Sequence, residues 1–256
     1  MRTFGLIGNP LTHSFSKRYF EEKFVREGVA DAVYELFQIK AISELPSLVK
    51  SLPDLKGLNV TIPYKEAVMD YLDKIDNVAL EVDAVNCIKV VNSKLVGYNT
   101  DVFGFENALR EFLSVPDFYN AEKAIYELPP ITAFVLGTGG SAKAVQYVLR
   151  KLGIAFQVVS RNVAEQTIIY SDVESYMSDC NLFINTTPLG MFPATESCAD
   201  IPYPLLNEKD FLFDLVYNPA ETLFLEKGKE KGCKTKNGLQ MLQLQAEKSW
   251  QIWNGG

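Results

Sequence analysis

The sequence predicts an α/β fold made of two α/β domains. Short apolar runs that are typical of strands alternate along the chain with segments whose apolar residues follow helical spacing. This alternation favours parallel sheets whose strands are joined by right-handed crossovers. The 256 residues suffice for two such domains, and 47% hydrophobic with 22% charged residues is the composition of a globular chain.

The first part of the chain supplies the elements of one domain. The predicted strands are residues 2–8, 33–39, 57–62, 84–91 and 95–98, and the predicted helices are 16–28, 43–51 and about 100–112. Gly28 is expected to end the first helix, and Ser43 to cap the second. Thr100 or Asp101 is expected to cap the third. The segment 92–94 separates two strand-like runs and therefore predicts a hairpin.

The second part begins after a change of character at residues 114–130. This segment is rich in proline and lacks periodicity, so we interpret it as a connector with room for one helical turn. The strands predicted after it are 131–136, 154–160, 181–185 and 211–216, with a helix reaching about residue 152 and a last helix over 238–253. A long proline-bearing loop is predicted over 192–204. The expected core positions of the last helix are Leu239, Leu242, Leu244 and Ala246.

A glycine-rich segment follows a predicted strand and opens a helix. Gly137, Gly139 and Ala142 match the pattern G-x-G-x-x-G/A, and this strand-to-helix context makes the pattern informative. The first glycine permits a tight turn, the second lets a pyrophosphate approach the backbone, and the alanine permits close packing of helix on strand. Gly140 and Ser141 belong to the helix N-terminus, whose N–H groups and dipole attract phosphate. We therefore predict a Rossmann-like, doubly wound parallel sheet that binds a dinucleotide.

The end of the next predicted strand indicates which dinucleotide is bound. Sites for NAD usually place Asp or Glu there, to bind the ribose 2′-hydroxyl. Here the residues are Ser160, Arg161 and Asn162, and a guanidinium beside a hydroxyl suits a 2′-phosphate instead. Glu165 nearby weakens the argument slightly. We therefore expect the cofactor NADP(H).

Charge and cysteine usage exclude several other classes. A net charge of −7 disfavours binding to nucleic acids and to anionic membranes. The four cysteines form no CxxC pair and the chain has one histidine, so we expect neither a metal site nor a disulfide framework. The N-terminus is unlike a signal peptide, and no apolar run reaches the roughly 20 residues that span a bilayer. A cytoplasmic protein is expected.

Polar residues cluster at predicted strand ends before the glycine motif. The segments are Gly8-Asn9-Pro10 with Ser14-Phe15-Ser16, Asn59-Val60-Thr61-Ile62-Pro63-Tyr64-Lys65, Asp83-Ala84-Val85-Asn86, and Gly97-Tyr98-Asn99-Thr100-Asp101. An α/β sheet places ligand-binding groups at such positions. Their hydroxyls and amides, with one lysine and one aspartate, suit a polyhydroxylated, anionic small molecule.

These segments resemble the signature segments of the shikimate dehydrogenase family. Later segments resemble the remaining signatures of that family: Asn185-Thr186-Thr187-Pro188-Leu189-Gly190-Met191, Asp214-Leu215-Val216-Tyr217-Asn218-Pro219, Glu221-Thr222, and Gly238-Leu239-Gln240-Met241-Leu242 with Gln245. The resemblance runs in order over nearly the whole chain. It implies reversible, NADP-dependent reduction of 3-dehydroshikimate to shikimate, a step toward chorismate and the aromatic amino acids, in a monomer or homodimer.

The resemblance also implies a division of labour between two domains with a cleft between them. Residues 1–101 with 237–256 would bind the substrate, and residues 102–236 would bind NADP. Lys65 would be the catalytic acid/base that supplies a proton to the developing alkoxide, and Asp101 would orient it. The residues implied to bind substrate are Ser14, Ser16, Thr61, Asn86, Tyr217 and Gln245. Those implied to lie along the cofactor, besides the glycine motif and the pair Ser160 and Arg161, are Thr186, Thr187, Met191, Gly238 and Met241.

The sequence departs from the usual family pattern at a few positions. Lys17 and Arg18 stand where proline is common, Asp83 where glycine is common, and Cys87 where threonine is common. Quinate as substrate, or relaxed cofactor use, therefore stays open. Two other hypotheses remain: a methylenetetrahydrofolate dehydrogenase, whose flat pterin suits these hydroxyls and amides less well, and a non-catalytic dinucleotide-binding protein, which need not keep Lys65 with an aspartate.

Overall fold

The computed structural model describes residues 1–11, 14–113, 119–120, 125–126 and 131–255. The chain divides into two compact units, the first formed by residues 1–103 and 243–256 and the second by residues 104–242. Each unit contains a six-stranded sheet, so the predicted α/β class is confirmed. No helix in the described part of the chain has the length and apolarity that crossing a bilayer requires.

The first unit is built on a mixed sheet. Its strands are β1 (Arg2–Gly8), β2 (Ala32–Gln38), β3 (Leu55–Val60), β4 (Lys74–Ile75), β5 (Cys87–Val91) and β6 (Lys94–Tyr98), in the order β2-β1-β3-β5-β6-β4. Strand β1 is parallel to both of its neighbours, whereas β5 is antiparallel to β3 and β6. The predicted hairpin turns at Asn92 and Ser93, whose φ angles of 50° and 63° match the twist of a two-residue hairpin turn.

Most of the described helices lie close to their predicted positions, but those over residues 77–82 and 223–230 have no predicted counterpart. The described helices are α1 (Phe15–Glu27), α2 (Leu45–Ser51), α3 (Asn77–Val82), α4 (Asp101–Leu113), α5 (Gly140–Lys151), α6 (Leu223–Glu230) and α7 (Leu239–Trp253). Gly28 ends α1 at φ 66°, as predicted. The prediction that Ser43 caps the second helix is wrong, because Ser43 lies inside a 3-10 turn that precedes α2. The carboxylate of Glu44 accepts the N–H groups of Lys40 and Ala41 there instead.

Two apolar layers cover the sheet of the first unit. One contains Ile7, Leu58 and Ile88, and the other is dominated by rings, with Phe20 stacked on Tyr34 at 4.5 Å between ring centroids. Helix α7 belongs to the aromatic layer through its last residues. The expected core positions of α7 need correction: Ala246 is buried, but Leu239, Leu242 and Leu244 are half-buried. The buried side chains of this helix include Met241, Gln245, Ser249 and Trp253, and the polar groups of Gln245 and Ser249 face a buried hydrogen-bond network.

The second unit contains a parallel sheet. Its strands are β9 (Thr132–Leu136), β10 (Ala155–Ser160), β11 (Thr167–Ile169), β12 (Leu182–Asn185), β13 (Phe211–Asp214) and β14 (Lys234–Lys236), in the order β11-β10-β9-β12-β13-β14. The strand order reverses between β9 and β12, which confirms the predicted doubly wound, Rossmann-like arrangement. Of the predicted connector 114–130, the structure describes only a short antiparallel pair, β7 (Tyr119–Asn120) and β8 (Ile125–Tyr126).

Candidate functional site

The first unit brings Lys65 and Asp101 together, although 36 residues separate them in the chain. Lys65 follows β3 and Asp101 begins α4, and the ammonium Nζ lies 2.6 Å from Asp101 Oδ2. The two side chains are 14% and 8% exposed, so the pair is largely shielded from water. The Lys65 carbonyl accepts the N–H of Val85 at 2.7 Å, which fixes its backbone beside the segment that precedes β5.

Asn86 orients the carboxylate of Asp101 from the other side. Its Nδ2 donates to Asp101 Oδ1 at 2.8 Å, while its Oδ1 accepts the backbone N–H of Thr100 at 2.6 Å. Asn86 is 3% exposed. Each oxygen of the Asp101 carboxylate therefore faces an N–H donor, and the carboxylate has one preferred orientation.

The hydroxyl of Thr100 connects this pair to α7. Its Oγ1 lies 3.2 Å from Asn86 Oδ1, 3.3 Å from Gln245 Oε1 and 3.2 Å from Ser249 Oγ. The sequence predicts a substrate-binding role for Gln245 and indicates Thr100 as a possible helix cap within a polar segment, but it predicts no role for Ser249. The available signal was weak: Ser249 follows Gln245 by one helical turn, and Thr100 stands next to Asp101.

A second layer of buried polar groups supports the first. Asn59 donates from Nδ2 to Ser249 Oγ at 2.9 Å and accepts the hydroxyl of Tyr34 on Oδ1 at 2.9 Å. Burial raises the pKa of Tyr34 well above its usual range, so this hydroxyl remains a donor. The predicted substrate residue Ser16 lies beside the Tyr34 hydroxyl. The polar network of the first unit thus extends from Lys65 to the start of α1.

The other predicted substrate residues of this unit are Ser14, directly before α1, and Thr61, directly after β3. Ser14 precedes α1, but its side chain does not cap the helix, and its buried Oγ has no hydrogen-bond partner among the described residues. A buried hydroxyl without a partner is costly, so it is a suitable contact for a polar ligand. Thr61 is half-buried, and its N–H donates to the Ile7 carbonyl at 2.9 Å. Residues 12 and 13, which include the single histidine of the chain, lie outside the described residues.

The structure shows the surroundings of three residues at which the sequence departs from the family pattern. Lys17 forms an ion pair with Glu35 at 2.7 Å, so its ammonium is balanced by a carboxylate between α1 and β2. Cys87 is fully buried at the start of β5, and burial raises the pKa of its thiol to about 12. Asp83 ends α3 with φ 56°, in the left-handed region that favours glycine.

The second unit forms a cradle where β9 ends and α5 begins. Gly137 has φ 114°, and a Cβ there would lie 2.7 Å from Thr186 Oγ1. Gly139 precedes α5 without a side-chain cap, and no described atom beyond the adjacent residues lies within 4 Å of the position that a Cβ would take. Ala142 is fully buried, which permits close packing of α5 on the sheet. The open backbone and the N–H groups of the first helical turn fit a dinucleotide pyrophosphate.

The end of β10 adjoins this cradle, because the Gly137 N–H donates to the Val159 carbonyl at 2.9 Å. Ser160 follows directly and is half-buried, and its Oγ accepts the N–H of Asn162 at 3.2 Å. Arg161 is exposed. No acidic side chain stands at positions 160–162, so the local charge suits a phosphate rather than a hydroxyl acceptor.

The remaining predicted cofactor residues follow β12 and β13. We call residues 186–191 the 186–191 loop. Its first residue, Thr186, donates from Oγ1 to the Leu136 carbonyl at 2.7 Å, and its last, Met191, is 42% exposed. Gly238 approaches the backbone after β13 so closely that a Cβ would collide with the Leu215 carbonyl. The carboxyl ends of parallel strands are where α/β sheets bind ligands.

Near the same ends lie Tyr217, which is half-buried, and Met241, which is buried. A fully buried carboxylate, Asp214, stands at the end of β13. Burial raises its pKa to about 6, although three donated hydrogen bonds oppose the shift. Asp214 belongs to one of the segments that resemble the family signatures, but the sequence predicts no role for it.

Known proteins match this chain along nearly its whole length. A family model described as the shikimate dehydrogenase substrate binding domain matches residues 6–88. The shikimate dehydrogenase (NADP(+)) of Clostridium perfringens strain 13 is 38% identical, over 100% of this chain and 93% of that protein. The shikimate dehydrogenase (NADP(+)) of Methanococcus aeolicus is 36% identical, over 98% of this chain and 91% of that protein.

The chain is also similar to solved structures of dehydrogenases. Shikimate 5-dehydrogenase from Thermus thermophilus, in complex with NADP(H) and shikimate, superposes with a TM-score of 0.83 at 29% identity, covering 100% of this chain and 94% of that one. Quinate dehydrogenase from Corynebacterium glutamicum, in complex with NAD, gives 0.84 at 26% identity, with the same coverage. Identity of this level over whole chains, together with the matched substrate-binding domain, places this chain in the shikimate dehydrogenase family.

Proposed function

We propose that this protein is an NADP-dependent shikimate dehydrogenase that reversibly reduces the ring ketone of 3-dehydroshikimate to the hydroxyl of shikimate. The observation that carries the proposal is the shielded contact of 2.6 Å between Lys65 Nζ and Asp101 Oδ2. It places a proton donor among hydroxyls and amides of the kind that bind a polyol. The names of the relatives support the same substrate and cofactor.

In the proposed mechanism, Lys65 is the general acid/base that donates or accepts the proton. The chemistry that NADPH would supply when bound is hydride transfer to the carbonyl carbon. As that carbon gains the electron pair, its oxygen becomes negative, and the Lys65 ammonium transfers a proton from Nζ to form the hydroxyl. Lys65 is then a neutral amine, and in the reverse direction it accepts the hydroxyl proton. Asp101 holds Nζ in place throughout and compensates the ammonium charge.

The proposed substrate contacts follow the polar network. Thr61, Asn86 and Gln245 would bind the ring hydroxyls, and Ser14 and Ser16 would bind the carboxylate with the help of Tyr217. The buried Ser14 hydroxyl, which has no partner among the described residues, supports a ligand at the start of α1. Residues 1–101 with 237–256 would thus act on the substrate.

The proposed cofactor contacts belong to residues 102–236 and the start of α7. Gly137, Gly139, Gly140, Ser141 and Ala142 would hold the pyrophosphate at the N-terminus of α5. Ser160 and Arg161 would bind the 2′-phosphate, and the residues further along NADP would be Thr186, Met191, Gly238 and Met241. The open position at Gly139 supports this assignment.

The experiment is an assay of NADPH consumption with 3-dehydroshikimate, for the wild type and for Lys65→Met, with NADPH binding measured on both. Turnover by the wild type and a fall of about 10³-fold or more in kcat for the variant are expected, because methionine keeps the length of the side chain but has no proton to transfer. A folded wild type that binds NADPH but turns over no 3-dehydroshikimate would rule out the proposal.

Quinate is a second candidate substrate, since a quinate dehydrogenase shares this fold with a TM-score of 0.84. Oxidation of shikimate and of quinate with NADP and with NAD separates the two activities. We expect shikimate with NADP to give the highest kcat/KM. Arg161→Ala should raise the KM for NADPH by about tenfold or more while leaving the KM for NADH unchanged, because only NADPH carries the 2′-phosphate.

A further inference from the structure

The second unit contains a buried carboxylate that the proposed chemistry does not use. Asp214 ends β13 with 0% exposure. Its Oδ1 accepts Asn185 Nδ2 and the N–H of Val216, both at 2.9 Å, and its Oδ2 accepts Thr222 Oγ1 at 2.5 Å. All three donors are neutral, and no lysine or arginine of the described residues forms an ion pair with Asp214.

Asp214 sets the orientation of the Asn185 amide. A carboxylate offers only acceptors, so Asn185 must turn its NH₂ group toward Asp214 and its Oδ1 away. That Oδ1 accepts the N–H of Thr187 at 3.0 Å and its hydroxyl at 2.6 Å. Asn185 Nδ2 also reaches the Leu189 carbonyl at 3.3 Å. Two residues of the 186–191 loop are therefore held by the orientation of one amide.

Thr222 transmits the position of Asp214 to the other end of the loop. Gly190 has φ 85°, and a Cβ there would lie 3.2 Å from Thr222 Cβ, so the backbone packs closely against this side chain. The Gly190 N–H donates to Ser197 Oγ at 2.9 Å. The exposed Met191 follows directly. Asp214 thus supports the loop at its start through Asn185 and at its end through Thr222.

We propose that Asp214 is a positioning residue for cofactor binding, which acts through Asn185 and Thr222 to hold the 186–191 loop in the shape that receives NADPH. The proposal rests on the proposed function, because it takes Thr186 and Met191 as cofactor contacts. Asp214 belongs to the unit that contains the glycine motif and not to the unit that contains Lys65, so its effect belongs in cofactor affinity rather than in the chemical step.

The test compares Asp214→Ala with Asp214→Asn. Alanine removes every acceptor, whereas asparagine keeps one oxygen for Asn185 and Val216 while the Thr222 hydroxyl turns to accept the new NH₂ group. For the alanine variant we expect the KM and Kd for NADPH to rise about tenfold, with kcat changed less than about threefold. Hydrogen exchange at the Thr187 and Leu189 amides should quicken about tenfold without cofactor, and the asparagine variant should restore both readouts.

Asp210→Ala is the matched control. Asp210 is also buried, precedes the same strand at its opposite end, and accepts the N–H and Nδ2 of Asn207. It should lower stability but leave NADPH binding and loop exchange as in the wild type. If Asp214→Ala does not fold, Asn185→Asp replaces it, because a carboxylate there would face both Asp214 and the Leu189 carbonyl and loosen the same loop.

The outcomes separate the two proposals. Unchanged NADPH affinity and unchanged loop exchange in the disrupting variant, or equal changes in Asp210→Ala, would overturn the role of Asp214. A wild type without turnover of 3-dehydroshikimate would overturn the proposed function alone, since cofactor affinity and loop exchange are measured without substrate.

Discussion

Each unit of this protein buries an aspartate near the carboxyl end of its sheet, but the two carboxylates have different partners. Asp101 faces the Lys65 ammonium on one oxygen and the Asn86 amide on the other. Asp214 faces an amide, a backbone N–H and a hydroxyl, all of them neutral. The first carboxylate compensates a charge that the chemistry needs, and the second organises a loop.

The difference predicts how each site responds to the loss of one oxygen. Lysine has no acceptor, and the oxygen of Asn86 is already used by Thr100, so both neighbours of Asp101 can only donate. Thr222 beside Asp214 carries a hydroxyl, which can donate or accept. At position 101, the NH₂ group of an asparagine would therefore face another donor and lose a hydrogen bond. At position 214, the Thr222 hydroxyl can accept a hydrogen bond from that NH₂ group.

Asp101→Asn should have the largest effect. The new NH₂ group must point at Lys65 or at Asn86, so the ammonium loses its orientation and its counter-charge. We expect kcat to fall about 10²–10³-fold, with the KM for NADPH nearly unchanged, in steady-state assays. Asp214→Asn is the matched control and should keep kcat within about threefold. Equal losses of kcat in both variants would remove the distinction between the two carboxylates.

Thr100→Val should have the next largest effect. Valine keeps the shape of threonine but removes the hydroxyl that lies between Asn86, Gln245 and Ser249. The free energy of unfolding should fall by about 2 kcal/mol, because buried polar groups lose a partner. Urea unfolding measures the change, and Thr100→Ser, which keeps the hydroxyl, is the control. A valine variant as stable as the serine variant would show that the hydrogen bonds of this hydroxyl do not contribute to the free energy of unfolding.

Local patterns in the sequence were sufficient to predict the main strands of both sheets and the turns that follow some of them. The run that ends at Gly8, the left-handed stop at Gly28 and the glycine turn at Gly137 each depend on neighbouring residues only, and the structure has all three. The chemistry of Lys65 and Asp101 made them candidates, but their contact came from the family resemblance, because residue types alone do not show which distant side chains meet.

What the sequence could not supply depends on distant packing. Thr100 meets Ser249 across 149 residues, and no local pattern marks that contact. Strand β11 has three residues and exists through its pairing with β10, so it carries little periodicity. Helix α3 was missed although a signal was present: Asp76 accepts the N–H of Val78 as a cap directly before it.

The charge of Asp214 should make stability depend on pH. Its pKa is raised from 3.8 to about 6 in the folded protein, so the native state binds a proton more tightly than the unfolded chain does. Its contribution is fully present below pH 3.8 and is lost as the pH rises through about 6. Relative to Asp214→Asn, the wild type should gain about 1.4 kcal/mol on going from pH 8 to pH 5.

Urea unfolding at both pH values measures this gain, and the subtraction of the variant removes the titration of groups that are common to both proteins. The half-buried Tyr203, whose pKa is raised above its ordinary value chiefly by burial, stays protonated at both pH values. Asp210 also has its pKa raised by burial, but it is common to both proteins. Parallel pH profiles for the wild type and the variant would mean that the carboxylate of Asp214 titrates normally.

The smallest effect is expected at a third aspartate, Asp83, whose backbone adopts a left-handed conformation. It ends α3 at φ 56°, and its N–H and that of Ala84 close the helix on the carbonyls of Leu80 and Ala79. Asp83→Gly should stabilise the protein by about 0.5 kcal/mol, since glycine adopts this conformation without a steric cost, and Asp83→Ala should destabilise it. Thermal unfolding measures both variants, and kcat should not change. A glycine variant that loses stability would mean that the Asp83 side chain contributes more to stability than its left-handed backbone conformation costs.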